Sequence, residues 1–213
     1  MEREVLKQLV KELVLAHVAN QEQVTQIPIG VSGRHLHISE ADFKILFPNE
    51  DLRVMKMLKQ TGEFAAEQTV TVIGSKDQTL RVRILGPFRN ETQLEISKTD
   101  ARNIGVPAQI RMSGELHGSP GVKLKTDAGE VTLKQGVIVA KRHIHMPTNV
   151  ARDLGVTEGE EVALQVKSED RSLIFQGCVV RVNDDFELEA HIDIDEANAA
   201  DVSESTVATI VKI

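Results

Sequence analysis

The chain has 213 residues, 41% of them hydrophobic, enough for one large domain or two small ones with a real core. Its 32 acidic residues outnumber 25 basic ones for a net charge of −7, which excludes a global basic field for nucleic acid, and the absence of Trp and Tyr removes the usual stacking platforms for single strands. The single cysteine, Cys178, excludes an internal disulfide framework and suits a reducing cytoplasm; no apolar run approaches the ~20 residues that span a bilayer, and no secretory signal is visible.

At the N-terminus, Leu6, Leu9, Val10, Leu13 and Val14 recur at three- and four-residue spacing, which predicts an amphipathic helix over 3–19 followed by a polar linker over 21–26. Such a helix either caps the protein's own body or lays its apolar stripe in a partner's groove. From residue 27 onward, short runs rich in Val, Ile, Thr and Leu alternate with turn residues. They predict strands at 68–73, 79–85, 93–96, 122–124, 131–133, 137–140, 162–166, 172–175, 179–182, 187–192 and 207–211, a spacing that suggests barrels or a sandwich. Short helices are expected near 39–46, 99–103, 147–153 and 196–200, with Ser39, Thr99, Pro147 and Asp195 where caps or first-turn residues belong.

The chain contains a duplication. Val31-Ser32-Gly33-Arg34-His35-Leu36-His37-Ile38 matches Val139-Ala140-Lys141-Arg142-His143-Ile144-His145-Met146, 108 residues later. A second echo, aligned on Ala101 and Ala197, has an offset of 96 residues and sets Glu95 opposite His191. Two similar β modules facing each other across a pseudo-two-fold axis, with one shared site, are therefore expected.

Five of the seven histidines, His35, His37, His143, His145 and His191, fall in these segments. Residues i and i+2 of a strand point to one side, so each His-x-His pair aims two imidazoles at one point. Roughly 0.2 such pairs are expected by chance at this histidine frequency, so two with matching flanks favour a metal site over exposed or core histidines. Glu95 is the sixth candidate ligand: its neighbours Leu94 and Ile96 face the other way, and a buried carboxylate needs a partner or a metal. Imidazole and carboxylate suit zinc, with other transition metals as alternatives. Six ligands exceed the needs of one tetrahedral catalytic zinc, so two zinc ions per chain, one near each His-x-His, are expected; the division of Glu95 and His191 between them stays open. His17 and His117 fall outside the pattern.

Gly86-Pro87-Phe88-Arg89 follows an apolar strand, with Arg89 six residues before Glu95; a rigid Gly-Pro turn there can fix Arg89 for a bidentate contact to phosphate, or Arg89 can stand as an ordinary surface arginine. Lys76, Arg81 and Arg83 add local positive charge, which fits either a polyanionic ligand or a solvated strand face. No nucleophile elbow, phosphate-binding loop or dinucleotide fingerprint occurs, and Cys178 reads as a small core residue.

The segments 27–37 (IPIGVSGRHLH), 66–70 (AEQTV), 85–89 (LGPFR), 137–146 (VIVAKRHIHM) and 191–199 (HIDIDEANA) together resemble the PduL-type phosphate propanoyltransferase family, the phosphotransacylases associated with bacterial microcompartments and propanediol degradation. The resemblance runs from about Ile27 to the C-terminus. It implies a mainly β fold with short α-helices, two pseudo-symmetric β-barrels capped by helices, plus the N-terminal amphipathic helix. The implied division is 1–22 as a possible encapsulation segment, 23–36 with 143–213 as a discontinuous first barrel, and 37–142 as the second. The implied reaction exchanges a short acyl group, propanoyl foremost, between coenzyme A and inorganic phosphate. Carried over by position, the zinc ligands are His35, His37, Glu95, His143, His145 and His191; the phosphate contact is Arg89. The coenzyme A contacts are Val31, Ser32, Gly33, Lys76, Arg83 and Asn198. Gly33 departs from the family's common Asn, a change that a backbone contact would survive and a side-chain contact would not. The resemblance also implies a bacterial cytoplasmic location inside a microcompartment and a shell or cargo partner for 3–19; a homodimer is expected, and composition and hydropathy point to no nucleic acid and no membrane. The competing readings are a cupin-like metalloenzyme, whose usual Glu spacing neither motif reproduces, an amidohydrolase barrel, for which the chain is short, and a non-catalytic zinc-bridged scaffold.

Overall fold

A computed structural model describes residues 7, 8, 11, 25–76 and 78–211. Of the helix expected over 3–19, Lys7, Gln8 and Lys11 are described and helical, and the rest lies outside the described residues. The remainder is mostly strand, with four short helices among the described residues.

Two sheets share the chain. The first is a closed six-stranded barrel of β1 (Ile27–Ser32), β11 (His143–Met146), β12 (Glu161–Val166), β13 (Leu173–Val182), β14 (Glu189–Asp193) and β15 (Val207–Val211), in the order β1-β14-β11-β13-β12-β15. The second is a nine-stranded sheet curled into a half-barrel. It contains β2 (His35–Ser39), β3 (Val54–Met57), β4 (Phe64–Ile73), β5 (Thr79–Arg89), β6 (Gln93–Glu95), β7 (Gln109–Arg111), β8 (Val122–Lys125), β9 (Glu130–Leu133) and β10 (Val137–Ala140). Each sheet closes over its own apolar cluster. Leu36, Ile84, Leu94 and Val137 lie in one, and Ile27, Ile144, Val180 and Ala190 in the other, all fully buried. Burying one such aliphatic chain contributes about 1.5–3 kcal/mol, so these alternating positions fix which strand faces turn outward.

The duplication is structural. Helix α1 (Glu40–Leu46) follows β2 as α3 (Thr148–Leu154) follows β11, at the same 108-residue offset; α2 (Lys98–Ile104) follows β6 as α4 (Ile194–Ala199) follows β14, at the 96-residue offset. Their caps differ in chemistry but not in place. The side chains of Ser39, Ser97 and Asp193 each accept a backbone N–H of the first turn, Asp193 within a capping box with Glu196, whereas Pro147 makes no side-chain cap bond. The halves also exchange strands. β1 pairs in parallel with β14 of the other half, Ile29 beside Ala190, and β10 pairs in parallel with β6, Val137 beside Leu94. The chain therefore crosses between sheets at Gly33-Arg34 and again at Lys141-Arg142.

Three departures from the pattern reading have local causes. β3 is exposed throughout and pairs only with β4, so it carries no alternation to read. β7 has three residues and none is buried. β13 runs unbroken where two strands were expected, because Gly177, with φ 68°, sits where the β12–β13 register shifts, a bulge rather than a turn.

Candidate active site

The strand register brings the six candidate ligands onto neighbouring outward faces. In the antiparallel β2–β6 pair His35 stands opposite Glu95, and in the β11–β14 pair His143 stands opposite His191. The alignment that set Glu95 against His191 thus describes two equivalent cross-strand positions.

In each half the first histidine is anchored the same way. His35 Nδ1 lies 2.8 Å from the Gly33 carbonyl and His143 Nδ1 lies 2.9 Å from the Lys141 carbonyl. A carbonyl can only accept, so Nδ1 carries the hydrogen and Nε2 keeps a free lone pair, the orientation common to metal-binding histidines. His35 Nε2 is 3.4 Å and His37 Nε2 3.7 Å from the Glu95 carboxylate. The donor atoms of these three residues all lie within 4.8 Å of one another, the one such trio among the described residues. Glu95 is buried, and its Oε1 accepts from Gln93 Nε2 at 2.5 Å and Ser113 Oγ at 3.1 Å. In the other half the rings of His143, His145 and His191 stand 4.7–5.0 Å apart, centre to centre. His145 Nδ1 and His191 Nε2 are buried without a hydrogen-bond partner.

Three of the rings are held neutral. Burial, then the neighbouring His35 and Arg89, lowers His37 to about 3. Burial and His191 lower His143 to about 4, and burial with His191, His143 and Arg181 lowers His145 to about 3. Burial pushes the Glu95 carboxyl up, but His35, His37, the Ser113 hydrogen bond and Arg89 together outweigh it and hold it below the ordinary range. His35, His37 and Glu95 form a donor group that could hold a metal ion; the second cluster offers the unpartnered buried nitrogens of His145 and His191 but no trio as closely set.

A cavity of about 660 Å³ opens beside these groups, walled by both sheets. Arg89 lines it, its Nη1 donating to Ser113 Oγ at 3.0 Å and its Nη2 lying 3.4 Å from Glu63 Oε1. Val31, Ser32, Gly33 and Arg83 line it as well, although Arg83 Nη1 also donates to the Ala66 carbonyl at 2.6 Å. Lys76 and Asn198 stand outside this lining. Lys76 Nζ donates to the Arg102 carbonyl at the end of α2, and the Asn198 carbonyl accepts from Arg171. Arg81 lies on an exposed face, bonded to Thr69. The arginines that open the two motifs are tied into the fold, although Arg34 also lines the cavity: Arg34 Nε is 3.3 Å from Asp100, and Arg142 Nε donates to Glu196 at 2.7 Å. Cys178 is fully buried, and burial pushes its thiol up to about 12, so it offers no thiolate.

Pattern reading missed several groups at the cavity. Gln93 and Ser113 hold Glu95; Arg181 sits beside His145 in the β11–β13 register; Glu189 stands opposite His145 and next to His191. The 96-residue offset that found His191 also sets Glu189 opposite Gln93, so that signal was present in the sequence. Ser113 and Arg181 carry no local motif.

This two-sheet arrangement sets paired imidazole clusters, a buried carboxylate and an arginine around one cavity, a site that could hold a metal ion. Comparison with known proteins identifies the class. The family model for phosphate propanoyltransferase matches residues 28–203. A phosphate propanoyltransferase of Levilactobacillus brevis is 54% identical over 187 residues, covering 88% of this chain and 89% of that protein. Namesakes from Shewanella putrefaciens and Salmonella typhimurium are 51% and 46% identical, covering 91% and 94% of this chain and 92% and 93% of their own. The chain belongs to the phosphate propanoyltransferase family and is an acyltransferase enzyme. Among the described residues no helix is long and apolar enough to cross a membrane.

Proposed function

We propose that the protein transfers a short acyl group, propanoyl foremost, between coenzyme A and inorganic phosphate at this cavity, with two zinc ions per chain. The supporting observation is the pair of donor clusters in equivalent cross-strand positions beside Arg89. His35, His37, Glu95, His143, His145 and His191 would hold the metals. Bound zinc supplies Lewis-acid stabilisation of the negative oxygen that develops on the thioester carbonyl.

The protein's own groups do the positioning. Arg89, steered by Ser113 and Glu63, presents a planar guanidinium to phosphate and aligns one of its oxygens for attack on the thioester carbon. The new C–O bond forms as the C–S bond breaks, and coenzyme A leaves as a thiolate. With Cys178 buried and protonated, direct attack is favoured over an acyl-enzyme. The Val31–Gly33 backbone and Arg83 hold the pantetheine and phosphate portions near the cavity; Lys76 and Asn198 are assigned to more distant parts of the ligand. The strand exchange supports treating 23–36 with 143–213 and 37–142 as two units, preceded by 1–22. Residues 3–19 are assigned to a microcompartment shell or cargo partner, with the enzyme a homodimer inside that compartment.

The test is an assay with acetyl-, propanoyl- and butanoyl-CoA, phosphate and a thiol reagent, with metal content measured on the same sample. Thiol release that needs both phosphate and metal supports transfer. Release without phosphate, or an isolable acyl-enzyme, overturns this mechanism. Metal content without any turnover favours a zinc-bridged scaffold.

A further inference from the structure

The two clusters are equivalent in backbone but not in charge. The first holds a carboxylate, Glu95, among its three donors; the second holds three imidazoles. Two residues before each third donor, on the same strand face, the chemistry is inverted: Gln93 precedes Glu95, and Glu189 precedes His191. At the first cluster the neutral Gln93 donates to Glu95, and its orientation is fixed because Gln93 Oε1 accepts from the Gly114 N–H at 2.7 Å. At the second, Glu189 Oε2 lies 3.1 Å from His191 Nε2. That nitrogen is buried, and the contact falls outside hydrogen-bonding alignment. Donor atoms around a tetrahedral zinc with ~2.0–2.2 Å bonds stand about 3.3–3.5 Å apart, close to this separation.

The carboxylate has a prepared seat. Lys59 Nζ lies 3.4 Å from its Oε1, and Gln60 Nε2 3.5 Å from its Oε2, both reaching across from the other sheet. On the third side is Gly30, where a Cβ would come within 2.9 Å of Glu189 Cδ. A side chain at that position would push the carboxylate out of its place beside His191.

Resting on the two-centre reading above, we propose that Glu189 is a ligand of the second metal centre, completing His143, His145 and His191 with the one negative charge that centre otherwise lacks. Each centre then holds one carboxylate, delivered from opposite ends of the same Gln-x-Glu or Glu-x-His strand segment.

The test is zinc binding by the metal-stripped full-length chain against a chromophoric chelator, repeated with cobalt to read coordination by absorption. The wild type should take up two ions per chain. Glu189→Gln should keep one tight site and weaken the other about 10–100-fold, with a changed cobalt spectrum for that site alone. Gly30→Ala, which alters no donor, should weaken the same site by displacing the carboxylate, and it decides the matter if Glu189→Gln does not fold. Two wild-type sites that Glu189→Gln and Gly30→Ala bind unchanged overturn the role of Glu189 while leaving two centres standing. A single site in the wild type overturns the two-centre reading and this proposal with it.

Discussion

Acid should destabilise the metal-stripped protein well before its carboxylates titrate. Burial holds His37 and His145 at about 3 and His143 at about 4, against an ordinary value of 6.5. The unfolded chain therefore binds protons that the folded rings refuse. Stability is complete above about pH 6.5 and falls as the pH drops from there toward the folded values. One unit below 6.5, each of the two more deeply buried rings costs about 1.4 kcal/mol, so His37 and His143 together cost about 3 kcal/mol at about pH 5.5, and the less buried His145 adds a smaller amount. Asp100 and Glu196, whose carboxyls burial raises, act in the opposite sense, so the histidine share is isolated by subtraction. Urea unfolding of the stripped wild type and of a His37→Gln, His143→Gln double variant at about pH 7.5 and 5.5 makes that comparison. The wild type should lose about 3 kcal/mol more than the variant over this interval. Equal losses would mean that the rings are not held neutral, and the argument that they are ready-made metal donors would fail.

Other outcomes follow from the same geometry. Arg89→Ala should lower kcat/KM for phosphate by about 10²–10³-fold while leaving acyl-CoA binding near normal, measured by varying phosphate at saturating thioester. A chelator should abolish phosphate-dependent thiol release, and stoichiometric zinc should restore it; full activity in a sample shown to be metal-free would rule out the proposed chemistry. Thiol-alkylating reagents should leave the folded enzyme active, because Cys178 is fully buried with its thiol raised to about 12; rapid inactivation with one label at Cys178 would contradict this. Ile144→Ala, which empties a fully buried position between His143 and His145, should cost about 2–5 kcal/mol in urea unfolding and loosen the second centre with it.

How much of this was legible depended on whether a signal was local or repeated. The His-x-His pairs were readable because two imidazoles on one strand face are a two-residue pattern. Glu95 was readable only through the repeat, since a lone Glu between Leu94 and Ile96 also describes an ordinary half-exposed strand. Ser39, Pro147 and the two 108-offset helices were readable from capping chemistry. The partners of β1 and β10 were not: a parallel pairing of Ile29 with Ala190 leaves no trace in either segment, because register over such a separation is decided by which faces must be buried together. Lys76 stands out in the sequence for its charge, yet charge says nothing about direction, and its ammonium turns to the Arg102 carbonyl rather than into the cavity.

The strand exchange explains why the site exists at one place only. If each half folded on its own strands, the two clusters would sit on separate sheets with no shared wall. Because β1 completes the barrel and β10 completes the half-barrel, both crossing segments run beside the site, and their carbonyls at Gly33 and Lys141 are the acceptors that fix His35 and His143. The arginine after each carbonyl, Arg34 or Arg142, then ties its crossing to the helix that follows the third donor, through Asp100 or Glu196. Asp195 of α4 closes the set by accepting the Thr99 N–H at the start of α2. The Arg-His-x-His motif is therefore one device with two functions: the arginine clasps the crossing, and the clasped crossing aims the histidines at a cavity that neither half could enclose alone.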